Sequence, residues 1–195
     1  MRRDLVTSVL AILAVTVVFG LAYPLVVTGI SQVAFPGRAG GSLIHRDGRL
    51  VGSRLLAQPV RGNRYFFPRP STATGYDAAA TGFTNLGPNS RKARDTFKAS
   101  LAAYLRRERP YDPGLKPSQV PVDAVTSSAS GVDPQISAAN AAIQAHRIAA
   151  VRHLPLAQVH KLIAENTDGR SLGVLGEPGV NVLELNLALD SLPGR

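Results

Sequence analysis

The sequence predicts an α+β fold, one N-terminal transmembrane helix followed by a single mixed extracytoplasmic domain. Three observations predict it. Leu5 to Ile30 is apolar and carries no charge, an Asp47-Gly48 pair sits between two apolar-rich runs as in a β-hairpin, and the C-terminal half repeats apolar residues at helical spacing. The chain therefore divides into a membrane anchor over residues 1–36, with its helix at about 5–30, and a body over 37–195. The body has a basic first half (38–116) and a more helical second half (117–195).

Composition narrows the function classes. With 195 residues, 45% hydrophobic and 18% charged, the chain is too apolar for disorder and long enough for one ordinary core. Cysteine is absent, which excludes disulfides, thiolate metal sites and a cysteine nucleophile. The net charge of +9 is concentrated in residues 38–116, with fifteen Lys and Arg against five Asp and Glu. Those arginines are scattered among turns, with no zinc-finger, basic-zipper or RNP pattern, so nucleic acid is not the expected partner. Anionic lipid headgroups or an acidic protein surface account for a basic zone beside an anchor.

The opening run would span about 39 Å as a helix, enough for a bilayer. Tyr23 suits an interfacial depth, and Pro24 is expected to kink or end the regular part. Arg2 and Arg3 with Gly20-Leu21-Ala22 would also suit a cleaved signal, but "PLVVTGI" prolongs the apolar run past that point. Arginines flank the helix on both sides, so charge does not orient it. A short tail before a long body places the N-terminus in the cytoplasm and exports the body. Thr16 and Gly20 form a small-xxx-small pair for a partner helix.

Past "FPGRAGGS", "SLIHRDGRLVGSRLL" reads as the hairpin. Pro59, Pro68 and Pro70 leave Tyr65, Phe66 and Phe67 on a short extended piece, with core filling as their first reading. Ser90 is placed to cap a helix from Arg91 to about Arg107, its apolar face being Ala93, Phe97, Leu101 and Leu105. "VPVDAVT" is expected to be extended. Asp133-Pro134 would start a helix to about His153, Pro155 would interrupt it, and "LAQVHKLIAENT" would form a shorter one. In "GVNVLELNLALDSL", Asn181 and Glu184 suit a capping box, with Val182, Leu185, Leu189 and Leu192 on one face. Alternation of Leu183, Leu185, Leu187 and Leu189 also suits a strand, and scarce β-branched residues favour the helix.

No phosphate cradle of either standard type is present, so no catalytic residue is assigned. His146, His153 and His160 are seven apart but lack acidic residues at ligand spacing, and no metal site is assigned. Ser127, Ser128 and Ser130 lie near Asp123 and Asp133 without a GxSxG elbow, which reads as a loop before a helix. A membrane-anchored hydrolase using Ser128 or Ser130 stays as an alternative. An anchor with no visible active site points to an accessory subunit.

Four stretches, in order and covering nearly the whole chain, carry a resemblance: "YPLVVTGISQVAFPGRAGGSL", "YFFPRPS" with "NLGPNS", "VPVDAVTSSASGVDPQISAANAAIQAHRIAAVR" and "LGEPGVNVLELNLALD". Together they resemble the C subunit of the bacterial Kdp potassium-transporting P-type ATPase. That resemblance implies a single-pass inner-membrane subunit, body periplasmic, working with a potassium-channel-like subunit and an ATP-hydrolysing subunit in high-affinity potassium uptake. It implies no bound cofactor of its own, ATP entering through the complex. The accessory role is assembly or stabilisation; the alternative is a catalytic chaperone that raises the pump subunit's ATP affinity, with Gln144 matching the family's proposed nucleotide contact. Tyr65, Phe66, Arg69, Pro70, Asn85 and Gly87 are candidate partner-contact positions. The chain departs from the family's usual "SGSGLDPHIS" at Ala129, Val132 and Gln135.

Overall fold

The computed structural model describes residues 1–82 and 84–192. It contains two compact units, Met1–Val51 and Gly52–Arg195. The mixed helix and sheet architecture agrees with the predicted class.

The first unit is built on α1 (Arg2–Val15), a π-helical stretch (Thr16–Ala22) and α2 (Tyr23–Ala34). These join into one helix of 33 residues, none of whose most apolar window is buried by this chain. Pro24 neither ends nor breaks it. Proline supplies no N–H and its ring crowds the carbonyl four residues back. The turn before it is widened instead, Tyr23 donating its N–H to Val18 O, five residues away. Leu10, Leu13, Phe19 and Leu25 are each more than half exposed, a cost that lipid or a partner helix removes.

A short turn of helix, α3 (Pro36–Ala39), leads into the hairpin of β1 (Leu43–Arg46) and β2 (Arg49–Ser53). Its two turn residues, Asp47 (φ 51°) and Gly48 (φ 75°), both adopt the positive φ that a tight hairpin turn demands.

The second unit starts with a long irregular segment and then α4 (Arg91–Glu108), capped by Ser90 Oγ accepting from Ala93 N at 3.3 Å. Of the expected face, Leu105 is buried and Leu101 packs against its cluster, but Phe97 is 47% exposed and the buried side takes in Tyr104 and Glu108 instead. "VPVDAVT" is not extended but curls into a 3-10 turn, Val122–Ala124. The curl carries Asp123 to the start of α5 (Ala138–Arg152), where its carboxylate accepts from Ser137 N, Ser137 Oγ and Asn140 Nδ2 at 2.8–3.0 Å. That helix is capped by Ser137, not by Asp133. Asp133 instead pairs with Arg69 at 2.9 Å and accepts from Gln135 N, which starts β3 (Gln135–Ile136).

His153 closes α5 in a left-handed conformation, and Pro155 precedes α6 (Leu156–Glu165). β4 (Thr167–Asp168) and β5 (Gly179–Asn181) come next, and β5 is the central, antiparallel strand of a β3-β5-β4 sheet. The final segment is helical: α7 (Val182–Ser191), with Asn181 Oδ1 accepting from Glu184 N. Helix wins over strand because Val182, Leu185 and Leu189 then all enter the core. Glu184 does not reach back to complete a capping box but pairs with Arg54 at 3.0 Å. The core joins Phe66 and Ile136 to Ala141, Ala145 and Ile148 of α5, Val159 and Ile163 of α6, Val180 of β5 and the α7 face. Tyr104, Leu105, Leu115 and Ala124 form a second cluster.

Candidate functional site

Three polar residues on the buried face of α5, Asn140, Gln144 and Arg147, recur at helical spacing and are at most 1% exposed. Each is satisfied from within the chain. Arg147 Nε meets both Glu108 oxygens at 3.0 and 3.2 Å, its Nη1 donates to the carbonyls of Asn63 and Tyr65, and its Nη2 donates to Gln144 Oε1 at 2.9 Å. Burial pulls the Arg147 guanidinium below its ordinary range, and the charge of Glu108 pushes it back up. Tyr104 donates its hydroxyl to Asn140 Oδ1 at 2.8 Å. Burial, reinforced by the Glu108 charge, holds that phenol well above the usual tyrosine range.

Gln144 has two donors and two acceptor sites, and all four are occupied. Its Oε1 accepts from Phe67 N at 2.8 Å and from Arg147; its Nε2 donates to Phe67 O at 3.1 Å and to Asn140 Oδ1 at 3.0 Å. Across the same segment Asn186 of α7 does likewise for Phe66, accepting from its N–H at 2.8 Å and donating to its carbonyl at 3.0 Å. Two side-chain amides thus stand in for neighbouring β-strands. This explains how the Tyr65-Phe66-Phe67 piece runs through the body without a ladder of its own. Arg152 adds a bond to Arg64 O at 2.7 Å, and its guanidinium lies 4.8 Å from the Tyr65 ring centre; Arg107 and Arg147 lie 4.4 and 5.0 Å from that of Phe67.

The remaining sequence candidates separate. Phe66 is fully buried in the core, while Tyr65 is half-buried with its hydroxyl 3.1 Å from Asp190. Arg69 is tied to Asp133 and to the carbonyl of Ser127. Pro70 lines a cleft of about 460 Å³ together with Lys92, Phe97, Thr126 and Ser128, and Asn85 and Gly87 lie exposed. Ser128 and Ser130 lie 3.2 Å apart and accept from Gly131 N and Val132 N, holding the loop. Thr16 and Gly20 share one side of the membrane helix: a Cβ at Gly20 would lie 3.7 Å from Thr16 Cγ2. Gln135, at one of the departures from the family pattern, donates to Asp168 at 2.9 Å across the sheet.

Sequence reading puts Gln144 and Arg147 on one helix face, expected to be a polar surface or protein contact, whereas both are at most 1% exposed; it assigns no role here to Glu108, Asn140, Asp123 or Asn186. The available signal was periodicity, since Arg147 falls in line with Gln144 and next to Ile148, so an apolar face that also carries an arginine requires a buried counter-ion. Among the described residues no buried side-chain polar atom lacks a partner. The polar side chains described above thus form one connected network, paired with one another and with backbone groups of the Asn63–Phe67 segment.

The family model described as "KdpC: K+-transporting ATPase, c chain" matches residues 5–191. The chain belongs to the KdpC family. Relatives named potassium-transporting ATPase KdpC subunit cover it almost end to end. That of Burkholderia vietnamiensis is 50% identical over 98% of both chains. That of Mycobacterium bovis is 47% identical over 98% of this chain and 100% of its own. That of Koribacter versatilis is 46% identical over 97% and 95%. The 33-residue apolar helix suits a KdpC subunit that crosses the inner membrane once.

Proposed function

We propose that this protein is a non-catalytic clamp within a high-affinity, ATP-driven potassium uptake complex. It is anchored in the bacterial inner membrane with its N-terminus cytoplasmic and its body outside. There it holds the channel-like subunit and the ATP-hydrolysing subunit together, the partners alone moving potassium. A single span without an ionisable side chain in its hydrocarbon-facing apolar run, apart from the interfacial Tyr23, forms no ion path. Near the headgroups, Arg38 and Arg49 suit anionic lipid.

One observation carries this reading over the ATP-chaperone alternative: Gln144, the position that would meet nucleotide, is 1% exposed and spends every hydrogen bond inside the chain. Freeing it for ATP would orphan the Phe67 backbone and part of Arg147. A hydrolase reading is disfavoured because the Ser128 and Ser130 hydroxyls serve the backbone of their own loop.

Protease applied to intact spheroplasts bearing the assembled complex tests the compartment. The clamp reading expects the body to be digested while the ATP-hydrolysing domain survives. A body protected until the membrane is broken would refute it.

A further inference from the structure

The connection between β4 and β5, residues 169–178, is exposed along its whole length. At its tip Leu172, Val174 and Leu175 are 89%, 72% and 59% exposed. We propose that this connection is a docking knob whose three apolar side chains seat in an apolar pocket on the extracytoplasmic surface of a partner subunit. The inference rests on the accessory-subunit reading above.

The knob is preformed. Ser171 and Leu175 exchange two backbone hydrogen bonds, at 2.8 and 2.9 Å, and Arg170 Nη2 donates to both oxygens of Glu177 at 2.9 and 2.8 Å across the stem. Such a closed turn meets its pocket without first being ordered. Leu172 itself adopts φ 55°, followed by Gly173 at φ 77°. A branched side chain is disfavoured there, and glycine or asparagine would suit the turn better. An apolar residue at an unfavourable φ, pointing out of its own fold, has no internal packing to justify it.

Charge and size choose the occupant. Glu177 neutralises Arg170, so the tip is uncharged on a chain of net charge +9. An anionic membrane surface would instead attract the arginine-rich half. Three side chains are far smaller than the about 800 Å² per partner of a self-standing interface, which argues against a dimer of this chain. They suit a central apolar anchor ringed by the polar Arg170 and Glu177, inside a larger subunit contact.

The test uses the full chain co-expressed with its partner subunits and a photoreactive phenylalanine analogue in place of Leu172, with Glu165 as the control position. The expected result is a cross-link from 172, and not from 165, to a partner subunit. In parallel, Leu172→Asp with Val174→Asp should lower partner recovery at least tenfold without lowering the melting temperature. Leu172→Gly separates docking from folding, because it should raise or preserve stability while partner recovery falls several-fold. Cross-links confined to lipid or to a second copy of this chain, or full recovery with the double Asp variant, would overturn the knob. Failure of the unaltered chain to recover any partner would overturn the accessory-subunit reading, and the knob with it.

Discussion

Replacing Gln144 by alanine separates a structural amide from a nucleotide contact. The substitution removes four hydrogen bonds, but their loss is unequal. Asn140 Oδ1 keeps Tyr104, and Arg147 keeps Glu108 and two carbonyls. The Phe67 N–H and C=O are left without the amide that paired them. At about 1–2 kcal/mol for each half-buried backbone group, and a further small cavity, the expected cost is about 3 kcal/mol. For a chain of this length that corresponds to a drop of about 6–12 °C in melting temperature. Melting of the purified full-length protein in detergent measures it. ATP-dependent hydrolysis by the assembled complex supplies the second axis, and its half-saturating ATP concentration should not move. A variant as stable as the parent whose complex needs several-fold more ATP would refute the reasoning and the exported topology together.

Three further outcomes are expected. Tyr104 holds its proton to higher pH folded than unfolded, so its contribution to stability is complete below about pH 10, where the unfolded phenol ionises, and is lost as pH rises beyond it. Tyr104→Phe should therefore flatten the alkaline limb of a stability-against-pH curve, at a cost of about 1 kcal/mol at neutral pH for the bond to Asn140; an unchanged limb would show that another group sets it. Gly20→Leu should reduce co-purification of partner subunits, because the added side chain fills the side of the helix shared with Thr16; full recovery would place the contact on another face. Intact mass of the membrane-extracted protein should include residues 1–22, whereas a chain beginning at Tyr23 would identify a cleaved signal.

Local chemistry was legible where a residue type has few uses. Asp47-Gly48 forms the hairpin turn, Ser90 and Asn181 cap their helices, and Pro155 divides α5 from α6, each because backbone geometry at one or two positions settles the outcome. The long uncharged run likewise had only a few readings. The cap of α5 was not legible, because two short polar residues, Asp133 and Ser137, both suit a helix N-terminus. The choice fell to tertiary contacts, Arg69 claiming one and the incoming Asp123 supporting the other. Spacing alone points Phe97 inward. Yet α4 turns toward α5 the side that lets Glu108 reach Arg147, since leaving that guanidinium buried without a counter-ion would cost more than exposing one aromatic ring. By itself the sequence determined the long apolar N-terminal helix, the hairpin turn, most of the caps and the family. Only the tertiary structure decided that Gln144 and Asn186, 42 positions apart, hold adjacent residues of one extended segment, because a side-chain amide's partners are chosen by packing and not by spacing.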